Sequence, residues 1–271
     1  MNARAKKQDN RRAIILVHGL RGDHHGLIDI ARLLQPSFRV ITPDLPGYGD
    51  ASSLDEVTLD AYADWLRDYI KQLDLDKPII LGHSMGSIIT SHFIEKYPNL
   101  CDEKCIFLAP ILRTEKEQRS SNRLYKLVNF GLHLLPGKSR YNFLKSKFIS
   151  LRISHFLTFD RSQKEFIDEQ HLKYSGRFAS AEGLMSDIKI SMREQTVIPS
   201  GKHTLIIIGA HDRLTKVEVA KSIARKKHVK FVTLKNCGHL FNYERPKAAA
   251  AKILAFFDEP TNLNFDDSVE L

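Results

Sequence analysis

Short runs of branched and aromatic apolar residues alternate along this chain with stretches in which apolar residues return every third or fourth position. The runs "AIILVHG" (13–19), "FRVITPDL" (38–45), "KPIILGHS" (77–84), "KCIFLAP" (104–110), "HTLIIIGA" (203–210) and "VKFVTLKN" (229–236) lie between turn residues and predict six strands. They are apolar almost without interruption, which predicts strands covered on both faces. The intervening "LIDIARLLQ" (27–35), "LDAYADWLRDYIKQL" (59–73), "SIITSHFIEKY" (87–97), "KVEVAKSIARK" (216–226) and "KAAAAKILAFF" (247–257) have the spacing of amphipathic helices. Strand and helix in alternation predict an α/β domain, a mostly parallel sheet of about six strands with helices on both faces.

One interval breaks the alternation. Between 110 and 203 the chain shows helical periodicity and no strand, too long a stretch for a structureless loop. It predicts an inserted helical unit at 112–196, dividing a core of 1–111 and 197–271. In "RLYKLVNFGLHLLPG", Leu124, Leu127, Val128, Leu132 and Leu135 fall close to one helical face. In "RYNFLKSKFISLRISHF", Leu144, Phe148 and Leu151 do the same, with Lys145, Lys147 and Arg152 alongside. The plain expectation is that these faces pack over the core while the cations are solvated. A sharper one is that they roof a site for an apolar acyl or ring group, the cations drawing anionic substrates or an acidic membrane surface.

Composition narrows the classes. The chain has 271 residues, 42% of them hydrophobic, enough for a proper core. The basic start "MNARAKKQDNRR" has no apolar stretch behind it long enough for a signal peptide, and no run reaches the roughly 18 residues of a membrane span. A cytoplasmic protein is expected, with the tail "NFDDSVEL" frayed. Three cysteines, Cys101, Cys105 and Cys237, are too few for a disulfide framework, and the Cys-x3-Cys pair lacks a second pair to complete a metal site. The net charge of +9 sits mostly at 112–177, where 14 Lys/Arg face 6 Asp/Glu, a local excess of +8. Without zinc-finger spacing, a helix-turn-helix pattern or an aromatic RNA-binding signature, nucleic-acid binding is not expected.

The stretch "IILGHSMGSI" (79–88) sets a lone serine between glycines where a buried strand turns into a helix. This is the strand-turn-helix setting of G-x-S-x-G, in which Ser84 Oγ would stand above the carboxyl edge of the sheet. A serine hydroxyl is a poor nucleophile at neutral pH and needs a base to take its proton and a carboxylate to orient that base. "IIIGAHDRLT" supplies Asp212 after the fifth run and "LKNCGHLFNYERP" supplies His239 after the sixth, the chain order expected for this topology. The backbone N–H groups of Met85 and of Leu20, in "VHGLRG", are the candidate oxyanion donors. The plain alternative is a glycine turn with no chemistry. Asp44, in "TPDLPGYG", reads as a turn residue, and His24, His25, His92 and His211 as surface or core histidines.

These motifs together resemble the α/β-hydrolase-fold serine hydrolases: "HGLRG" their oxyanion loop, "DLPGYGDAS" their turn after the next strand, "GHSMGS" their nucleophile turn, "GAHDRLT" and "NCGHLFNYERP" their acid and histidine loops. The resemblance spans 13–111 and 200–257. It implies an α/β-hydrolase fold with a helical cap, no cofactor and no metal, in a monomer or weak oligomer acting on a small molecule. The implied reaction is cleavage of a carboxylic ester through an acyl-enzyme. Alternatives are carbon–carbon bond hydrolysis or a lyase reaction with the same triad, or a non-catalytic ligand-binding protein on the same fold. A serine at the nucleophile position argues against the dehalogenase and epoxide hydrolase branches, whose members use aspartate. Two departures stand out: the short N-terminus leaves no room for the family's initial β-hairpin, and Ser87 replaces a glycine common in relatives, which is expected to tighten the packing behind the nucleophile.

Overall fold

In the computed structural model, which describes residues 11–258, all six apolar runs become strands: β1 (Ala13–Val17), β2 (Arg39–Ile41), β3 (Ile79–His83), β4 (Lys104–Leu108), β5 (His203–Gly209) and β6 (Lys230–Leu234). They form one sheet in the order β2-β1-β3-β4-β5-β6, every neighbouring pair parallel. The second run ends three residues into β2 because Pro43 has no N–H for the ladder and biases Thr42 before it. The basic start at 1–10 and the acidic tail lie outside the described residues.

Period two divides each strand between two cores. Ile15, Val17, Ile80, Phe107, Ile206 and Ile208 face one side. There α2 (Leu59–Gln72), α3 (Met85–Lys96) and α9 (Val217–Lys227) cover them with Tyr62, Leu66, Phe93 and Ala220. Ile14, Leu16, Ile79, Leu81, Ile106 and Ile207 face the other, under α1 (Ile28–Leu34) and α11 (Pro246–Asp258). The chain runs outward from β1 to β2 and then back across the sheet from β3, so the order reverses between β1 and β3. In open α/β sheets, ligands bind outside the carboxyl ends of the strands at such a reversal.

The interval between β4 and β5 is helical throughout its ordered elements: α4 (Glu115–His133), α5 (Gly137–Lys145), α6 (Lys147–Leu157), α7 (Lys164–Tyr174) and α8 (Ala181–Arg193). A capping box starts α4, with the Thr114 side chain accepting from Glu117 N–H and Glu117 accepting from Thr114 N–H. The two ends of the insert meet, for Thr196 N–H donates to Ile111 C=O at 2.8 Å. The expected apolar face of α4 is split. Leu132 is buried and Val128 and Leu135 pack against the core, but Leu124 and Leu127 face solvent. Since α8 is the helix of the insert that α4 chiefly packs along, only a narrow stripe of it is covered. Leu144 is likewise buried while Phe148 is exposed. Among the described residues no helix is long and apolar enough to cross a membrane.

Candidate active site

Ser84 follows β3 and caps α3 with φ +55° and ψ −122°, a conformation side chains rarely adopt. Holding it costs roughly 1–3 kcal/mol, which the surrounding packing must offset. Its N–H donates to Leu108 C=O at 3.0 Å and its C=O accepts Ser87 N–H at 2.9 Å. The flanking glycines are there for close approach: a Cβ at Gly86 would strike the carbonyl oxygens of Val17 and His18, and one at Gly82 the Thr90 hydroxyl and Gly86 backbone. Ser87 is fully buried and donates its hydroxyl to Gly82 C=O at 2.7 Å, pinning the turn from behind as the sequence suggests.

His239 reaches Ser84 from the loop after β6, its Nε2 accepting the Ser84 hydroxyl at 2.8 Å. His239 Nδ1–H donates to Asp212 Oδ2 at 2.7 Å. The second carboxylate oxygen accepts the N–H groups of Leu214 at 2.7 Å and Thr215 at 3.0 Å. Thr215 in turn donates its hydroxyl to Pro110 C=O at 2.7 Å, joining the acid loop to the end of β4. The sequence-predicted Ser84 and the pair Asp212 and His239, more than a hundred residues further along the chain, are thus brought into one hydrogen-bonded series. His83, beside them, is held neutral: burial, reinforced by the nearby His239, pushes it down to about 3.

Leu20 follows β1 in a loop that lies against the nucleophile turn, where a Cβ on Gly19 would come within 2.9 Å of Ser84 Cβ. The peptide between Gly19 and Leu20 is held from its carbonyl side. Gly19 C=O accepts Gly22 N–H at 3.1 Å and the buried His18 Nδ1–H at 2.9 Å. Leu45 N–H donates to His18 Nε2 at 2.9 Å, so that nitrogen is the acceptor and Nδ1 carries the proton. Burial lowers the His18 pKa and keeps the ring in this neutral form. In a trans peptide N–H and C=O point in opposite directions, so these bonds also aim the Leu20 N–H. Met85 opens α3, where a first-turn N–H lacks a partner within its helix.

Two other groups on this edge are structural. Asp44 accepts from His24 N–H, His24 Nδ1–H and Asp50 N–H, the turn role expected of it. Asp23, His24 and His25 bring potential metal ligands within 4.8 Å of one another. Asp23, however, is already engaged by Arg177 at 2.8 Å and by His25, and His24 by Asp44, so this set is internally satisfied.

Glu244 escaped the sequence analysis. It is buried on the short helix α10 (Phe241–Glu244), where Oε2 accepts Gly238 N–H at 2.7 Å and Oε1 accepts the N–H groups of Phe159 and Asp160. His239 N–H donates to Leu157 C=O at 2.9 Å, and a Cβ on Gly238 would come within 2.5 Å of that oxygen. On the acid loop, the His211 ring stacks on Phe159 at 3.5 Å and Arg213 donates to Phe156 C=O. The end of α6 is therefore clamped by the loops that carry Asp212 and His239. The only sequence signal was a carboxylate five residues after His239.

A model of the Alpha/beta hydrolase family matches residues 14–252. The chain belongs to this family. Its fold is the α/β-hydrolase fold. A Mycobacterium tuberculosis protein described as uncharacterized is 33% identical over 91 residues, covering 33% of this chain and 27% of that protein. Mouse epoxide hydrolase 4 is 22% identical over 265 residues, covering 92% of this chain and 73% of that protein. Among solved structures, a thermophilic esterase from Thermogutta terrifontis has a TM-score of 0.73 at 22% identity, covering 91% of this chain and 89% of that one. A likeness at that identity shows the shared fold.

Proposed function

We propose that this hydrolase cleaves a carboxylic ester of a small molecule through an acyl-enzyme, with Ser84, His239 and Asp212 as its catalytic triad. The observation that carries the reading is the hydrogen-bonded series from Ser84 Oγ through His239 to Asp212, at 2.8 and 2.7 Å. Ser84 Oγ attacks the ester carbonyl carbon as its proton passes to His239 Nε2, and Asp212 stabilises the imidazolium through Nδ1–H. The carbonyl oxygen becomes an oxyanion between the N–H groups of Leu20 and Met85. Collapse of this intermediate expels the alcohol, which takes the proton from His239 and leaves the acyl group on Ser84. Water, deprotonated by the same histidine, then attacks the acyl carbon, and its proton returns to Ser84 as the acid departs. A hydroxyl at this position has no carboxylate oxygen to open an epoxide, which sets this chain's chemistry apart from the aspartate-dependent branches.

The insert at 112–196 is the cap in this reading, its α6 end lying against both triad loops. The three buried, unpaired cysteines suit the reducing cytoplasm. The test is labelling of Ser84 by a fluorophosphonate, followed by turnover of aryl esters against vinylogous diketones. Labelling with ester turnover supports the proposal. Diketone cleavage in place of ester turnover reassigns the reaction to carbon–carbon hydrolysis, and a chain that does not label is no serine hydrolase.

A further inference from the structure

Between Glu117 and Asp160 the chain carries no aspartate or glutamate, while eight lysines and arginines fall there, from Arg119 to Arg152. Within this acid-free stretch, α4 is apolar on two sides. Val128 and Leu132 face the core. Leu124, Leu127, Phe130 and Leu134, spaced by three, three and four residues, share the outer face, exposed at 52%, 68%, 65% and 71%. Single exposed leucines are ordinary, but four in register on one helix make an apolar strip that water disfavours. Arg123 stands one turn before Leu127, and Lys126 one turn before Phe130. Arg119 and Arg140 pair with Glu115 and Glu182. Among the described residues, no carboxylate lies within salt-bridge reach of Arg123, Lys126 or Lys138.

We propose that the outer face of α4 docks on an anionic lipid bilayer, Leu127, Phe130 and Leu134 entering the boundary between headgroups and acyl chains while Arg123, Lys126 and Lys138 meet the lipid phosphates. The charges choose this occupant. A second copy seated on the same face would oppose like cations to one another, and bulk water leaves the strip exposed. An anionic bilayer satisfies both halves of the face, as it does for basic amphipathic helices that lie in the interfacial plane. This moves the cations of the contact from Lys145, Lys147 and Arg152, where the sequence suggested them, to Arg123, Lys126 and Lys138, and it does not depend on the hydrolytic reading.

The test is flotation of the full chain with vesicles of mixed phosphatidylglycerol and phosphatidylcholine. The protein should float with these, should stay behind with phosphatidylcholine alone, and should be released as salt screens the charges. The combined Leu127→Ser, Phe130→Ser, Leu134→Ser variant should lose flotation while keeping its melting temperature. Each cation near an anionic surface adds roughly a fivefold factor, so Arg123→Gln, Lys126→Gln and Lys138→Gln together should lower partitioning about 100-fold. The proposal is overturned if the parent chain ignores anionic vesicles, or if the triple serine variant floats as well as the parent. It is also overturned if the parent is a dimer that the serine variant splits while vesicles capture neither.

Discussion

Glu244 accepts the backbone N–H of Gly238 at 2.7 Å, one residue before His239, and with its other oxygen holds Phe159 and Asp160 at the far end of α6. One buried carboxylate thus ties the histidine loop to the helical insert through three backbone donors. Gln in its place would turn an NH₂ toward a backbone N–H, leaving a buried donor unmatched at a cost of about 1–3 kcal/mol. Glu244→Gln should lower kcat about 10- to 100-fold with little change in KM, since a loop that drifts by about an ångström takes His239 out of line with Ser84. Steady-state kinetics beside a thermal melt separate the roles. A lower melting temperature with unchanged kcat would reduce Glu244 to a stabilising residue.

Ser84→Ala should remove turnover by roughly four to six orders of magnitude, because the members of a triad act as a unit. The fold should survive, since alanine fits the space and the strained backbone at φ +55° is relieved of nothing by losing a hydroxyl. Asp212→Asn should depress kcat by about four orders, the imidazole then being offered in the wrong tautomer. A folded Ser84→Ala enzyme retaining more than a small residue of activity would place the nucleophile elsewhere.

His18 touches no substrate in the proposed mechanism, yet it donates to Gly19 C=O and accepts Leu45 N–H, fixing the peptide that carries the Leu20 N–H. Removing an oxyanion donor costs about 10²–10³ in kcat. His18→Ala misdirects one without deleting it, so the expected loss is smaller, about tenfold to a hundredfold, in kcat and not in KM. Equal kcat in parent and variant would show that Gly22 N–H alone orients this peptide.

Asp187 on α8 accepts the hydroxyls of Tyr48 at 2.7 Å and Tyr62 at 3.0 Å in a buried site that joins the insert to the core. Burial outweighs these two donors and pushes its carboxyl from 3.8 up to about 7. The folded protein therefore keeps a proton there across a range in which the unfolded chain has released it. That contribution is complete below about pH 4 and is lost as pH rises through about 7. Asp187→Asn cannot titrate, so the parent should lose stability relative to the variant between pH 4 and 8, by up to roughly 4 kcal/mol. Urea unfolding of both proteins across this range checks it; parallel curves would mean that Asp187 is ionised in the native state throughout.

Apolar runs of seven or eight residues and helical spacing between them decided the six strands and their covering helices. Both are local properties of a chain whose side-chain period matches its backbone period. The glycines around Ser84, and the order Ser84, Asp212, His239, were also legible, because a strand-to-helix turn that brings backbones together demands residues without Cβ. Leu20 and Met85 were legible as positions, since they follow a strand end and a helix start. Other features depended on who packs against whom. No periodicity shows that Glu244 meets Gly238, Phe159 and Asp160, or that His18 bridges Gly19 and Leu45, for these bonds join segments that only the closed sheet brings together. The apolar faces read in the insert are covered only in part: helical spacing says which residues share a side, while burial depends on whether a neighbour arrives there. At Val128 and Leu132 one does, and at Leu124 and Leu127 none of the described residues covers the face, so the same sequence signal ends as core on one side of α4 and as open surface on the other.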